Sequence, residues 1–195
     1  MSVQALLPYL PENTLPFLGK WFGENFIHIK VTKGRETKLG DYRKMPDGSH
    51  QITVNPTLQP ELFFFVLTHE LAHMIAFLKF GRKIAPHGTE WKITFREMLL
   101  ESIMIYNPEL QKIIVEFSRS PRANFMASPD LVRYFQNHEE EGFVFVETLK
   151  AGERFVFRNQ KYAIIEPRKK NYLCKNLENG KNYAFRPLAK VEKLN

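Results

Sequence analysis

Between Leu62 and Phe80 the chain is apolar at nearly every position, with no strand-like alternation. A run of that length and evenness predicts one long helix buried on most of its sides. Upstream, Leu15, Leu18, Trp21 and Phe22 fall at helical spacing. They predict a helix to about Asn25, with Asn13 or Thr14 as its cap and Pro16 in its first turn. Phe26 to Val31 alternates and reads as a strand. His28 lies between Ile27 and Ile29 and is structural or exposed. Lys38 to Lys44 and His50 to Val54 are two further strands, joined through the turn Pro46-Asp47-Gly48. The expectation is a small antiparallel sheet leading into the long helix, with Asn55-Pro56 as the break between them.

Gly81 ends the long helix. His87 to about Tyr106 reads as the next helix, opened by His87-Gly88-Thr89-Glu90-Trp91 with Thr89 as a cap. Asn107-Pro108 separates a helix over Glu109 to Phe117. Ser128-Pro129-Asp130 starts a short one ending near His138, and the acidic run from Glu139 to Gly142 reads as a solvated linker. The period then changes. Phe143–Thr148, Arg154–Arg158, Tyr162–Glu166, Tyr172–Asn176, Asn182–Arg186 and Ala189–Lys193 are short strand candidates, with Asn179-Gly180 as a hairpin turn. So many short strands in so little chain suggest a small β-barrel-like module. The fold class is therefore α+β, with a domain of small sheet and helices over 1–138 and a β-rich module over 143–195.

Charge sharpens that division. The chain of 195 residues carries a net charge of +7. Residues 143–195 hold 12 Lys and Arg against 5 Asp and Glu, which is the entire surplus. The asymmetry points to a polyanion partner for the second module, set against a merely solvated surface. Aromatics interleave with cations there, the mix that nucleic-acid platforms use for stacking and phosphate contact. An ordinary barrel with aromatics inside and lysines outside has the same look. Arg158, Arg168, Lys169, Lys170 and Lys175 are the candidate contacts. The single cysteine, Cys174, rules out an internal disulfide framework and points to a reducing compartment, the cytoplasm. No leader is expected, since no Lys or Arg precedes Lys20. The Leu62–Phe80 run is long enough to span a membrane, but His69, Glu70 and His73 in its middle argue for a core helix instead.

Those three residues belong to Thr68-His69-Glu70-Leu71-Ala72-His73. Histidines four apart on a helix share a face, so both rings can reach one Zn²⁺ while Glu70 sits beside a water on that metal. Zinc lowers the pKa of bound water to about 7, and a glutamate can take its proton. Catalytic zinc sites commonly have three protein ligands, and His87 offers a third from the start of the next helix. Its distance from His73 excludes the compact arrangement in which the third histidine follows within one short turn. Each histidine alone would pass as a core residue, but a buried Glu between two buried His needs a partner. Trp91 either braces the ligand's helix or belongs to the core alone.

At these residues the chain resembles the SprT-like, or Spartan-type, zinc metallopeptidase family. The likeness rests on His69-Glu70-Leu71-Ala72-His73 and on Pro86-His87-Gly88-Thr89-Glu90-Trp91, which is similar to that family's H-G-x-E-[WF] segment. Leu39-Gly40-Asp41-Tyr42 and Ile52-Thr53-Val54-Asn55 add to it, over roughly residues 10–125. The resemblance implies His69, His73 and His87 as ligands of one zinc ion and Glu70 as catalytic base. It also implies a DNA-associated protease with relatives that digest proteins crosslinked to DNA. Two departures from the family are expected: with Cys174 alone no Cys-based zinc ribbon forms, and the long disordered tail of the eukaryotic proteins is not expected. The expectation is a zinc endopeptidase acting on protein substrates near DNA, held there by the basic module and placed near the nucleoid. The alternative is a DNA- or RNA-binding protein with a structural zinc.

Overall fold

A computed structural model describes residues 3–32, 38–136 and 142–194. The chain divides into two compact units, Met1–Leu131 and Val132–Asn195.

The first unit is built around one helix. Its elements are α1 (Leu15–Phe22), β1 (Ile27–Val31), β2 (Gly40–Lys44), β3 (His50–Val54), α2 (Pro60–Phe80), α3 (Thr89–Glu101) and α4 (Pro108–Ser118). A short 3-10 turn over Val3–Tyr9 precedes them. Helix α5 (Pro129–Gln136) contains the boundary between the units. The predicted end of this helix near His138, and most of the acidic linker, lie outside the described residues.

Why α2 reads as apolar on every side is visible in Phe63, Phe64 and Phe65, all fully buried. Successive helical residues point about 100° apart. Phe63 stacks on Tyr9, Phe64 on Trp21 of α1, and Phe65 meets Phe95 of α3, Phe117 of α4 and Phe125. The helix is thus covered by several neighbours, and no polar stripe is left to show in the sequence. It is long and apolar enough to cross a membrane by length and composition, and 61% of that window is buried within the protein. Burial of this kind marks a core helix.

The sheet of the first unit is mixed, which corrects the expectation of an antiparallel one. Its order is β1-β3-β2. β2 and β3 form an antiparallel hairpin through the turn at Gly48, whose φ is 88°. β1 pairs with β3 in parallel, Ile29 opposite Ile52 and Val31 opposite Val54. The middle place falls to β3, where Ile52 and Val54 are fully buried. β1 is less buried and takes the far edge.

Three local expectations also change. Thr14 precedes α1, but its hydroxyl donates to the Pro11 carbonyl at 3.0 Å and does not cap the helix. Helix α3 stops at Glu101 and continues as a separate 3-10 turn, Ile103–Ile105, so it does not reach Tyr106. Its first residue is Thr89, with Gly88 before it, so His87 lies outside the helix.

The second unit holds β4 (Phe143–Phe145), β5 (Arg154–Phe157), β6 (Gln160–Pro167), β7 (Tyr172–Asn176), β8 (Asn182–Phe185) and β9 (Lys190–Leu194). They form one antiparallel sheet in the order β4-β9-β5-β6-β7-β8. Phe155 of β5 meets Phe185 of β8 edge to face at 5.1 Å although two strands separate them. The sheet therefore curls around a single core of Val146, Leu149, Phe155, Tyr162, Ile164, Cys174, Phe185 and Val191. No ladder among the described residues joins β4 to β8. Asn176, fully buried, accepts from the backbone N–H groups of Glu178 and Asn179 at the β7–β8 turn.

Candidate metal centre

Helix geometry puts His69 and His73 on one face of α2, one turn apart. His87 reaches them from the loop before α3. That loop is a tight turn: the N–H of Gly88 donates to the carbonyl of Ala85 at 2.9 Å, with Pro86 and His87 between. Pro86 presets the first corner, and His87 takes the second with φ at 58°. Glycine or asparagine is the usual occupant of such a corner. The histidine is held in a left-handed backbone conformation because the turn aims its ring back at α2.

The three rings converge through Nε2. His73 and His87 are 3.0 Å apart at these atoms, and His87 and His69 are 3.3 Å apart. One ligand atom from each of the three lies within 4.8 Å of the others, a group that could hold a metal ion. Nitrogens bound at about 2.0–2.1 Å to a tetrahedral ion stand about 3.3–3.4 Å from each other, so the spacing fits. Each Nε2 either carries a proton or a lone pair, and any assignment of two states to three facing atoms leaves one like pair. A cation accepts from all three at once. The donor set is chemically suited as well. Burial pushes His69 down to about 3, with the facing imidazoles adding to it. Burial, then His87, takes His73 down to about 4, and burial lowers His87. All three are therefore neutral at pH 7, the form that ligates a metal.

Trp91 lies against all three rings. Its centroid is 4.7 Å from His69, 5.3 Å from His73 and 4.6 Å from His87. It is 1% exposed, and its Nε1–H donates to the backbone carbonyl of His69 at 3.5 Å. Trp91 is therefore not core alone: it is buried, and it is also the floor of the histidine cluster.

Glu70 is 7% exposed and follows His69 directly on α2. Helical rotation places it about 100° from His69 and about 60° from His73, so it flanks the cluster on the side of the sheet. There it lies against Gly40 of β2. Tyr42, two residues further along β2, stacks on His73 with centroids 6.0 Å apart and planes within 2°. Burial raises the Tyr42 phenol to about 12, so it stays protonated, and its hydroxyl shares a hydrogen bond with Nδ1 of His50 at 3.0 Å. The sequence signal for Tyr42 was available in the period of β2, which puts residues 40, 42 and 44 on one face. Arg43 faces the other way and pairs with Asp41 at 2.7 Å.

The five candidate cations of the second unit do not form one patch. Arg158 sits at the β5–β6 turn with φ at 50°, its guanidinium 5.4 Å from the Phe157 ring centroid. Arg168, Lys169 and Lys170 lie at the β6–β7 turn, at the other end of β6, about 25 Å away along the strand. Arg168 is paired with Glu166 at 3.3 Å. Lys175 points outward from the middle of β7. Its row across the sheet runs Arg154, Ala163, Lys175, Asn182. Lys161, two residues before Ala163, shares that outer face. Only strand register brings Arg154 and Lys161 beside Lys175, so neither is marked by the sequence pattern.

Residues 17–107 match the family model described as SprT-like family. That segment contains His69, Glu70, His73 and His87; the second unit lies beyond it. Protein SprT of Glaesserella parasuis serovar 5 (strain SH0165) is 39% identical over 106 residues, covering 51% of this chain and 62% of that protein. Protein SprT of Klebsiella pneumoniae (strain 342) is 43% identical over 54 residues, covering 26% of this chain and 32% of that protein. Protein SprT of Salmonella arizonae (strain ATCC BAA-731 / CDC346-86 / RSK2980) is 42% identical over 60 residues, 29% of this chain and 33% of that protein. The chain thus spans less than two thirds of each of these relatives. No solved structure matches.

Proposed function

The chain belongs to the SprT-like family through residues 17–107, and on that premise we propose that it is a zinc-dependent endopeptidase of zincin type. His69, His73 and His87 hold the ion, and Glu70 is the general base. The observation that carries this reading is the convergence of three neutral imidazole nitrogens beside a buried carboxylate. When bound, zinc supplies Lewis acidity toward a carbonyl oxygen and toward water. The chain's own residues do the rest. Glu70, held on the rigid central helix, accepts a proton from the attacking water and returns it to the leaving amine. Trp91 and Phe95 pack against the His69 ring and keep bulk water from that side of the cluster. Tyr42 packs flat against His73 and limits its rotation.

The substrates in this reading are polypeptides near nucleic acid. Within the second unit, residues 143–195 carry the whole positive surplus of the chain. Its exposed cations lie at the β6–β7 turn and on the outer face of β5–β7, and they serve to concentrate the enzyme on phosphate backbones. The setting is the cytoplasm, at the nucleoid.

The test is cleavage of an unfolded protein by zinc-loaded wild type and by Glu70→Gln. The variant is expected to keep its zinc and lose cleavage. Equal rates for the two proteins would overturn the assignment of the base.

A further inference from the structure

Strand β2 lies along α2 in a strict order. Its alternate residues face the helix: Gly40 against Val66 and Glu70, Tyr42 against His73, and Lys44 over Phe77 with Nζ 4.4 Å from the ring centroid. The intervening residues, Asp41 and Arg43, turn away and pair with each other. A step of two strand residues is about 6.8 Å, close to the 4.5–6 Å that separates residues three or four apart on a helix. The two elements therefore stay in step over three contacts.

The closest of these contacts is at Gly40. A Cβ built there would stand 2.5 Å from Oε1 of Glu70, 2.8 Å from Cγ of Glu70 and 2.8 Å from Cγ1 of Val66. Real Cβ atoms essentially never come within 3.0 Å of another heavy atom. The glycine is not needed for its backbone freedom, since Gly40 is absent from the positive-φ residues. It is needed because the volume a side chain would fill is occupied by the Glu70 carboxylate. Glycine inside a strand is costly unless something approaches closely, and here that something is Glu70.

We propose that Gly40 is a positioning residue for Glu70. The strand passes the helix at the one point where it carries no side chain, and this fixes where the carboxylate sits. Tyr42, in the same register, fixes His73. One edge strand thereby aligns the proton acceptor with a ligand of the metal site. Any side chain at position 40 pushes the Glu70 carboxylate aside while leaving all three histidines intact. The functional consequence rests on the peptidase reading above; the contact itself does not.

The experiment is a double-mutant cycle of Gly40→Ala and Glu70→Ala, read as thermal stability, with zinc content and steady-state kinetics alongside. Gly40→Ala is expected to retain one zinc per chain and to lower Tm by about 4 °C. The loss should be markedly smaller in the Glu70→Ala background, where the carboxylate is gone. The Val66 contact is present in both backgrounds, so the difference between them isolates Glu70. In kinetics, kcat of Gly40→Ala should fall about a hundredfold with little change in KM, the scale expected for a misplaced reacting group. Gly19→Ala, in helix α1 with nothing within 4 Å of its Cβ position, is the control: it should raise Tm by a few degrees through helix propensity, equally in both backgrounds, and leave kcat in place. Equal Tm losses in the two backgrounds would overturn the proposal, as would an unchanged kcat in an active wild type. A wild type that cleaves nothing would remove the peptidase reading, and the cycle would then decide the contact alone.

Discussion

The indole of Trp91 and the imidazole of His87 meet edge to face, centroids 4.6 Å apart and planes at 85°. They are four positions apart in the chain, and the start of α3 falls in between. The turn that aims His87 at α2 and the side chain that supports it are thus parts of one local unit. Truncating Trp91 to Ala should cost about 3–5 kcal/mol of stability, as for other large buried aromatics. Zinc affinity should fall about 10–100-fold, the range seen when residues supporting metal ligands are removed. Thermal melts and competition with a zinc chelator measure the two effects. Trp91→Phe should be milder in both.

Pro86 acts one residue earlier. It sets the corner that lets His87 adopt its left-handed conformation. Replacing it with alanine frees the loop without touching a ligand. The expected cost is about 0.4–1 kcal/mol, which amounts to about a two- to fivefold loss of zinc affinity. Titration against a chelator of known affinity checks it.

Acid should unfold the metal-stripped protein earlier than its carboxylates alone would suggest. Burial holds His69 at about 3 and His73 at about 4, while in the unfolded chain both titrate near 6.5. Between these values the unfolded state binds more protons, so stability rises with pH across that window. The contribution is complete above about pH 6.5 and is lost as pH falls toward about 4. Urea midpoints of the metal-free protein between pH 4 and 7 should show this slope. Replacing His69 and His73 by Gln together should flatten it.

Nucleic-acid binding by the second unit, if it uses the β6–β7 turn, has a charge signature. Lys169→Glu with Lys170→Glu should weaken binding to single-stranded DNA and reduce the salt slope of log K by about 1–2. The same exchange at Arg154 and Lys161 tests the outer sheet face. Binding that ignores both pairs of changes, at every salt concentration, would contradict a role for this surface.

How much of this was legible in the sequence differs from element to element. Helix α2 was, because an apolar run bounded by Pro60 and Gly81 has few other solutions. The short strands of the second unit were, because Asn179-Gly180 and the other turns punctuate them, except that the expected strand over Phe143–Thr148 stops at Phe145 and gives way to a 3-10 turn over Val146–Thr148. The His69, Glu70 and His73 face follows from helical period alone. What escaped was decided by contacts between distant residues. The parallel pairing of β1 with β3 depends on which strand takes the middle of the sheet, and local pattern does not encode that. His87 looked like a first helical turn because Pro86 and Thr89 are good helix-start residues. The structure uses Pro86 for a turn instead. The stacking of Tyr42 on His73 and the clearance at Gly40 come from the register of a strand against a helix. The five candidate cations are close in sequence, but where each lies is set by the sheet, since an antiparallel hairpin sends its two turns to opposite ends.

The central claim is that His69, His73 and His87 together hold one metal ion. The most direct measurement is elemental analysis of the purified protein beside His87→Ala, after zinc addition and gel filtration. The account predicts one zinc per chain in the wild type and loss of most of it in the variant, with both proteins folded by circular dichroism. No zinc in the wild type, or equal zinc in the two proteins, would contradict it.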